Sequence, residues 1–338
     1  MSDIARPTDA GHIPAAGLAS AAGAAPAGTA LAATDAAAVP RTARPRGRHG
    51  WAPPAWLQAM PMGLVFALFF VLPLALVVVV SFWDYNDYEI LPSFTFRSYS
   101  ETFEGCYDQL PGLCTIFKTY VTTAELCFAV WAITLVIGFT ISYFLAFHVR
   151  SLTMQIVLAL LCTIPFWTSN VIRMISWIPL LGRNGLVNKA LTQAGVVDAP
   201  LEWLLYSRFS VILAFVHLFT FFMVIPIFNS MVRIDKRLIE AAYDAGATGW
   251  QTLWNVVVPL CKPGIVIGSI FVVTIVMGDF VTVGVMGGQQ IASAGKIIET
   301  RLNALQFPPA AANAVILLAA TLLIITALTK VVDIRKEL

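Results

Sequence analysis

Charged residues are scarce in this chain. Asp, Glu, Lys and Arg make up 12% of its 338 residues, whereas apolar residues make up 58%, and the mean hydropathy is +0.79. Soluble globular domains have about 25% charged residues, so the composition excludes an ordinary soluble domain. The net charge is only +2, which gives no reason to expect a nucleic-acid partner. The composition therefore indicates a membrane protein.

Motifs of enzyme chemistry are also missing. No segment has the P-loop pattern of Gly, four residues and then Gly-Lys-Ser/Thr. Gly295-Lys296 lacks both the hydroxyl residue and the upstream Gly. The five cysteines do not have the spacing of metal ligands. We therefore expect no catalytic residue, no metal site and no bound cofactor in this chain.

Long apolar runs predict the architecture. A helix of about 20 apolar residues crosses the hydrocarbon core of a bilayer. Six runs fit this length, and they cover residues 60–82, 126–147, 151–172, 209–232, 263–286 and 310–329. The sequence thus predicts an all-α, polytopic membrane protein with six transmembrane helices.

The basic residues predict the orientation. Lys and Arg are more frequent in the segments that face the cytoplasm if both termini are cytoplasmic, as the positive-inside rule requires. Residues 1–55 are rich in Ala, Pro and Gly and are expected to form a disordered cytoplasmic tail. Residues 56–338 are expected to form the transmembrane domain, with a cytoplasmic loop at about 233–262.

Two cysteines fall in the first outside loop. An oxidising compartment would allow Cys106 and Cys114 to form a disulfide there, and two free thiols are the alternative. Cys127 and Cys162 lie in expected spans, where cysteine usually acts as a small buried apolar residue.

The loop at 233–262 has the pattern of two short helices. Asp235 is a suitable N-cap for the first, and Gly246 can end it in the left-handed conformation. The residues on one face of this helix follow the spacing i, i+3, i+4 and i+7: Leu238, Ala241, Ala242 and Ala245. This flat face, rimmed by Glu240 and Asp244, favours docking of another protein over contact with a membrane surface.

Large apolar residues mark the second helix. They repeat at helical spacing: Trp250, Leu253, Trp254 and Val257. We expect them to anchor the loop to the transmembrane bundle. Pro259 is expected to stop the helix, and Pro263 to occupy the start of the next span, where its missing N–H does no harm.

These residues carry a family resemblance. The segments Glu240-Ala241-Ala242, Gly246-Ala247, Pro259-Leu260 and Pro263-Gly264-Ile265 resemble the EAA loop of permease subunits in binding-protein-dependent ABC importers. The resemblance implies a type I permease fold, in which residues of about 238–260 form coupling helices that fit a groove on a cytoplasmic ATPase. The coupling residues it implies are Glu240, Ala241, Ala242, Gly246, Ala247 and Pro259.

The same resemblance implies the partners. They are a second permease subunit, expected to be a different chain, two ATPase subunits, a periplasmic binding protein and membrane lipid. ATP and Mg²⁺ would be bound by the ATPases, so this chain is not expected to be an enzyme. The expected location is the inner (cytoplasmic) membrane of a bacterium.

A second resemblance indicates a branch within this family of permeases. Residues 165–173, Trp177, the segment Leu180-Leu181-Gly182 and residues 278–283 are similar to spermidine/putrescine permease subunits. This implies a polyamine as the solute. An opine, an amino-acid derivative or another small ion is the alternative for the same machine. More distant alternatives are an ion-coupled secondary transporter and a membrane scaffold or sensor without transport activity.

Five residues are candidates for the solute pathway: Asp279, Trp167, Asn170, Arg173 and Trp177. A carboxylate at membrane depth is costly and so is often functional, but Asp279 could equally cap a broken helix. Arg173 would repel a polyamine, and it could instead pair with Asp279 or reach the headgroups. The two Trp side chains could stack on an ammonium group or anchor the chain at the interface.

Overall fold

The structure is a computed structural model that describes residues 55–86, 89–104, 106 and 114–331. The expected tail at 1–55 lies outside the described residues, apart from Ala55. Within them, helix dominates, and the α-helices are α1 Ala55–Phe66, α2 Leu72–Val80, α3 Arg97–Thr102, α4 Thr115–Tyr143, α5 Leu152–Thr163, α6 Asn170–Leu181, α7 Leu186–Gln193, α8 Arg208–Val232, α9 Lys236–Asp244, α10 Gly249–Thr252, α11 Val258–Leu260, α12 Lys262–Gly278, α13 Val281–Met286, α14 Ala294–Asn303 and α15 Phe307–Val331. The expected all-α class is confirmed.

Shorter elements interrupt or join these helices. Three π-helical turns occur at Ala67–Val71, Phe144–His148 and Leu253–Val257. Two 3-10 turns lie at Ile164–Trp167 and Glu202–Leu204. Strands β1 (Asp84–Tyr85) and β2 (Ile90–Leu91) form one antiparallel pair in which Asp84 is opposite Leu91.

Four helices of the described chain are long and apolar enough to cross a membrane: Ala59–Val80, Thr115–His148, Glu202–Val232 and Phe307–Lys330. Two further helix pairs are bent: Leu152–Trp167 with Asn170–Gln193 by 85°, and Gly249–Leu260 with Lys262–Gly278 by 67°. By length and composition the described residues thus contain up to six candidate spans, if each bent pair counts as one. The run at 151–172, expected as one continuous helix, is broken, because the backbone leaves helical geometry at Thr168.

The centre of the bundle consists of α4, α8 and α12. Their side chains supply much of the buried core, including Val130, Met223 and Val272, each with no exposed surface. Two interhelical hydrogen bonds tie them together: Ser142 Oγ donates to the Val224 carbonyl at 2.9 Å, and Trp131 Nε1 donates to Ser269 Oγ at 2.8 Å. The span Ala59–Val80, by contrast, has none of its apolar window buried within the chain.

Two glycines allow the three central helices to approach. A Cβ added to Gly138 would lie 2.8 Å from Met223 Cγ, and one added to Gly268 would lie 2.8 Å from Met223 Sδ. Small residues at such contacts let helix backbones approach closely where lipid supplies no hydrophobic driving force. The position of α8 therefore depends on glycine, with no side chain, at position 138 of α4 and at position 268 of α12.

The Gly268→Leu substitution should destabilise the bundle. Overpacking a filled core costs about 1–3 kcal/mol, and here the obstacle includes the α8 backbone at Met223. Thermal unfolding of the detergent-solubilised protein measures the effect. Gly63→Leu is the matched control, because a Cβ at Gly63 meets nothing within 4 Å. Equal melting temperatures for the two variants would contradict this account of the packing.

Candidate functional site

The loop between α8 and α12 begins with a capped helix. Asp235 precedes α9, and its side chain accepts a hydrogen bond from the backbone N–H of Arg237 at 3.0 Å. This satisfies one of the free N–H groups at the helix start. The expected N-cap at Asp235 is confirmed, and it fixes where the chain turns after α8.

Gly246 ends α9 in a left-handed conformation. Its φ is +84°, its N–H donates to the Tyr243 carbonyl at 2.9 Å, and the Ala247 N–H donates to the Ala242 carbonyl at 3.0 Å. This pair of bonds is the Schellman motif, which favours glycine at the left-handed position. A Cβ at Gly246 would meet nothing within 4 Å, so backbone conformation is what requires glycine within this chain.

The alanine face of α9 is open. Leu238 is 49% exposed, and Ala241 and Ala245 are exposed as well. The opposite side of the helix meets the bundle, where Ile239 packs against the buried core. Glu240 does not rim this face as expected, because it lines a cavity on the other side of α9 with Ile239. The arrangement offers a small-residue surface that the described chain leaves largely uncovered.

The second helix corrects one expectation. Trp250 and Trp254 are 67% and 53% exposed, and their rings contact each other at 5.6 Å, so they do not anchor the loop to the bundle of this chain. The other two expected anchors do contact the bundle, since Val257 is buried and Leu253 packs against the core. Thr252 is buried beside them.

The helical stretch that began at Gly249 ends one residue after Pro259, close to the expected stop. α11 covers Val258–Leu260, and Cys261 forms a turn. The helix axis then bends by 67° into α12, which has Pro263 in its first turn. The structure places Glu240, Ala241, Ala242, Gly246 and Ala247 on or just after α9 and Pro259 beyond the π turn.

A second candidate region lies where α12 breaks. α12 ends at Gly278, and Asp279 leads into α13. The Asp279 carboxylate accepts hydrogen bonds from the Thr282 backbone N–H and from Thr282 Oγ1, both at 2.8 Å. Asp279 thus caps the continuation of a broken helix, which is the structural alternative stated for it above.

The other pathway candidates lie at the break between α5 and α6. Trp167 is 84% exposed at the end of the 3-10 turn. Arg173 is 8% exposed and donates from Nη2 to Asn170 Oδ1, while its Nε has no partner among the described residues. Helix α6 packs against α13, yet no ion pair joins Arg173 to Asp279 in the described chain. Of the alternatives stated for Arg173, the pair with Asp279 is not formed, and Asn170 is its partner instead.

Trp177 is held by a contact that the sequence did not suggest. Its Nε1 donates to His217 Nδ1 at 3.1 Å, and the two rings meet edge to face at 5.6 Å. The pair links α6 to α8. His217 is thus a hydrogen-bonded packing residue, and Trp177 has a structural role in addition to any contact with solute.

An ionic cluster orders the segment after α2. Arg97 bonds to Glu101 at 2.8 Å and to Asp84 at 3.2 Å, and these two carboxylates raise the pKa of Arg97. Burial raises the pKa of Tyr85, and its hydrogen bond to Glu101 raises it further. The cluster ties α3 to β1. No group of His, Cys, Asp and Glu side chains that could hold a metal occurs within the described ranges.

Cys106 and Cys114 form a disulfide in the structure, with Cα atoms 4.7 Å apart. It links the residues after α3 to the first residue before α4, across a sequence separation of 8. The three remaining cysteines are free: Cys127, Cys162 and Cys261.

Comparison with known proteins finds similar sequences and similar solved structures. No protein-family model matches the sequence. The chain is 30% identical over 255 residues to the spermidine/putrescine transport system permease protein PotB of Escherichia coli K12, covering 74% of this chain and 87% of that protein. PotB of Haemophilus influenzae is 30% identical over 256 residues, covering 72% and 82%. The inner membrane ABC transporter permease protein YdcU of Escherichia coli K12 is 25% identical over 181 residues, covering 51% and 58%.

Solved structures show the same fold. A chain in the crystal structure of a bacterial ABC transporter involved in the import of alginate matches with a TM-score of 0.63 at 17% identity, covering 82% of this chain and 93% of that one. A chain of the alginate transporter in complex with its alginate-bound periplasmic protein matches with a TM-score of 0.62 at 15% identity, covering 81% and 91%. Such identities support a common fold and carry no argument about the solute.

The number of labelled thiols before and after reduction tests for the disulfide. In the unfolded, unreduced protein we expect three labelled cysteines, which are the free ones, and prior reduction should add Cys106 and Cys114. The Cys106→Ser variant is the control, because it should release Cys114 for labelling without reduction. Complete labelling of the unreduced wild-type chain would contradict the disulfide.

Proposed function

Because the chain belongs to the family of ABC transporter permeases, we propose that it is the permease subunit of an ATP-driven importer for a polyamine such as spermidine or putrescine. It is a protein of the bacterial inner membrane, and the proposal includes six spans with both termini in the cytoplasm. The observation that carries the proposal is α9, a helix capped at both ends whose alanine face is exposed.

The proposed assembly has four kinds of component. Two ATPase subunits bind ATP and Mg²⁺, and one of them receives α9 in a surface groove. A second permease subunit, a different chain, completes the pathway, and a periplasmic binding protein delivers the solute. The large apolar surface that Ala59–Val80 leaves uncovered is available to lipid and to the second permease.

The geometry suggests how force would pass from the ATPase to the pathway. α9 follows α8 after a short turn capped by Asp235, and α10 and α11 lead to α12 through the 67° bend. Movement of α9 by a closing ATPase pair would therefore shift α8 and α12 together. Such a shift supports uptake only if the solute binds the two states with different affinity.

Polyamine is the solute that the relatives favour. Both PotB proteins carry spermidine and putrescine in their names. Trp167, which is exposed, offers a face for cation–π contact, and the Asp279 carboxylate offers negative charge at the break of α12. Arg173 opposes a cation, so the same machine with an opine, an amino-acid derivative or another small ion remains the alternative.

ATP hydrolysis by the reconstituted importer tests which solute it recognises. Liposomes containing this chain with its second permease and ATPases should hydrolyse ATP several-fold faster when the cognate binding protein is loaded with spermidine or putrescine. The empty binding protein and an uncharged solute serve as controls. Stimulation by another solute, with neither polyamine active, would contradict the polyamine assignment while leaving the permease role in place.

Replacing Gly246 by leucine tests the docking of α9. Gly195 is the matched control, because it has a φ of +68°, ends α7 with the same pair of backbone bonds and has open space around it. Each Gly→Leu change strains the backbone by about 1–2 kcal/mol, so both variants should lose similar stability. Only Gly246→Leu should reduce stimulated ATP hydrolysis, by tenfold or more, because only its side chain enters the docking surface. Equal rates in the two variants would refute docking at this site.

A further inference from the structure

A cavity of 340 Å³ lies behind α9, between this helix and the end of α4 that faces the loop. Its lining includes the side chains of Tyr143, His148, Lys236, Glu240 and Tyr243. Two π-helical turns meet at it, since His148 belongs to one of them and Val257, also in the lining, to the other. Such turns inside α-helices occur frequently at functional sites.

Aromatic rings form much of the cavity wall. On α4 and its π-helical extension, the Tyr143 ring lies 5.1 Å from the Phe147 ring and 5.6 Å from the His148 ring. Tyr243 contributes a further ring from α9, and its hydroxyl lies 3.7 Å from the position that a Cβ on Gly249 would take. The rings therefore come from both sides of the space, one set from the bundle and one from the coupling helix.

The polar groups of the cavity have unused bonding capacity. Within the described ranges, the two tyrosine hydroxyls, the His148 imidazole and the Glu240 carboxylate make no hydrogen bond and no ion pair. Lys236 is one helical turn before Glu240, yet no ion pair joins them in the described chain. Its side chain is exposed, so the ammonium group can turn to solvent.

We propose that this cavity binds an alkylammonium group. Aromatic rings attract a cation, and three of them, those of Tyr143, Phe147 and Tyr243, line the cavity with the Glu240 carboxylate. An anion would have to lie among these rings and beside the carboxylate, with Lys236 as the main attraction. The arrangement therefore favours a cation. The ammonium group has two possible sources, a free amine in the cytoplasm or the ethanolamine headgroup of a phospholipid.

An occupant would hold α9 against the bundle. It would contact α4 on one side and α9 on the other, and so favour one position of the coupling helix. If the imported solute is an amine, which rests on the proposed function, its accumulation inside the cell would act back on coupling through this cavity. Binding itself rests only on the cavity.

Hydrogen–deuterium exchange of residues 236–257 in the assembled importer tests the proposal. In nanodiscs of phosphatidylglycerol, ethylammonium chloride should slow exchange of this segment at least threefold relative to sodium chloride, and sodium phosphate of equal ionic strength should not. Protection that appears in nanodiscs containing phosphatidylethanolamine, without added ethylammonium, would identify the headgroup as the source. Absence of protection by both the headgroup and ethylammonium would overturn the proposal.

Single substitutions separate a cation site from an anion site. Tyr243→Leu and Glu240→Gln should each raise the half-saturating ethylammonium concentration at least tenfold, whereas Tyr243→Phe, which keeps the ring, should leave it within twofold. Lys236→Ala should lower it, because a competing charge is removed. Protection by phosphate that Lys236→Ala abolishes would overturn the proposal. Ethylammonium protection in an importer that does not transport polyamines would refute the proposed solute and leave the cavity assignment standing.

Discussion

The approach of α4, α8 and α12 around Met223 is the constraint on which the rest of the structure depends. Gly138 and Gly268 leave room for Met223 from two sides, and the contact fixes α8 against its two neighbours. The loop with the exposed alanine face joins α8 to α12. Both attachments of the loop therefore belong to one packed unit, so a displacement of the loop cannot be absorbed by sliding one of these helices alone.

The two helix breaks account for polar side chains within otherwise apolar segments. A break frees backbone groups, and a bilayer tolerates them only where protein or a water-filled cavity satisfies them. Asp279 meets this need for α13 by accepting from the backbone N–H of Thr282. At the other break, the side chain of Asn170 accepts from the nearly buried Arg173, and this bond holds a charged side chain and no backbone group. Both carboxylate and amide thus have structural partners, and any contact with solute must be made in addition to them.

Features that depend on neighbouring residues could be predicted from the sequence. Features that depend on contacts between residues far apart in the sequence could not. Asp235 and Gly246 follow cap chemistry that needs only neighbouring residues, and both behave as expected. Trp250 is exposed, contrary to expectation, because spacing along a helix identifies an apolar face but not which part of that face the rest of the chain covers. The Trp177–His217 bond joins residues 40 positions apart, and no local pattern indicates it.

The loop has a backbone fixed by helix caps and a surface that the described chain leaves open. This combination determines which contact can change how far α9 moves. Side-chain caps at Asp235 and Thr248 and the left-handed glycine between them hold the backbone, so docking on the alanine face, as proposed, would move α8 and α12 instead of deforming the loop. Behind α9, however, the bundle is not filled, since the cavity separates it from the end of α4. Close-packed protein transmits displacement, whereas a void permits movement. The cavity is therefore the place where an occupant changes how far α9 moves before α4 follows.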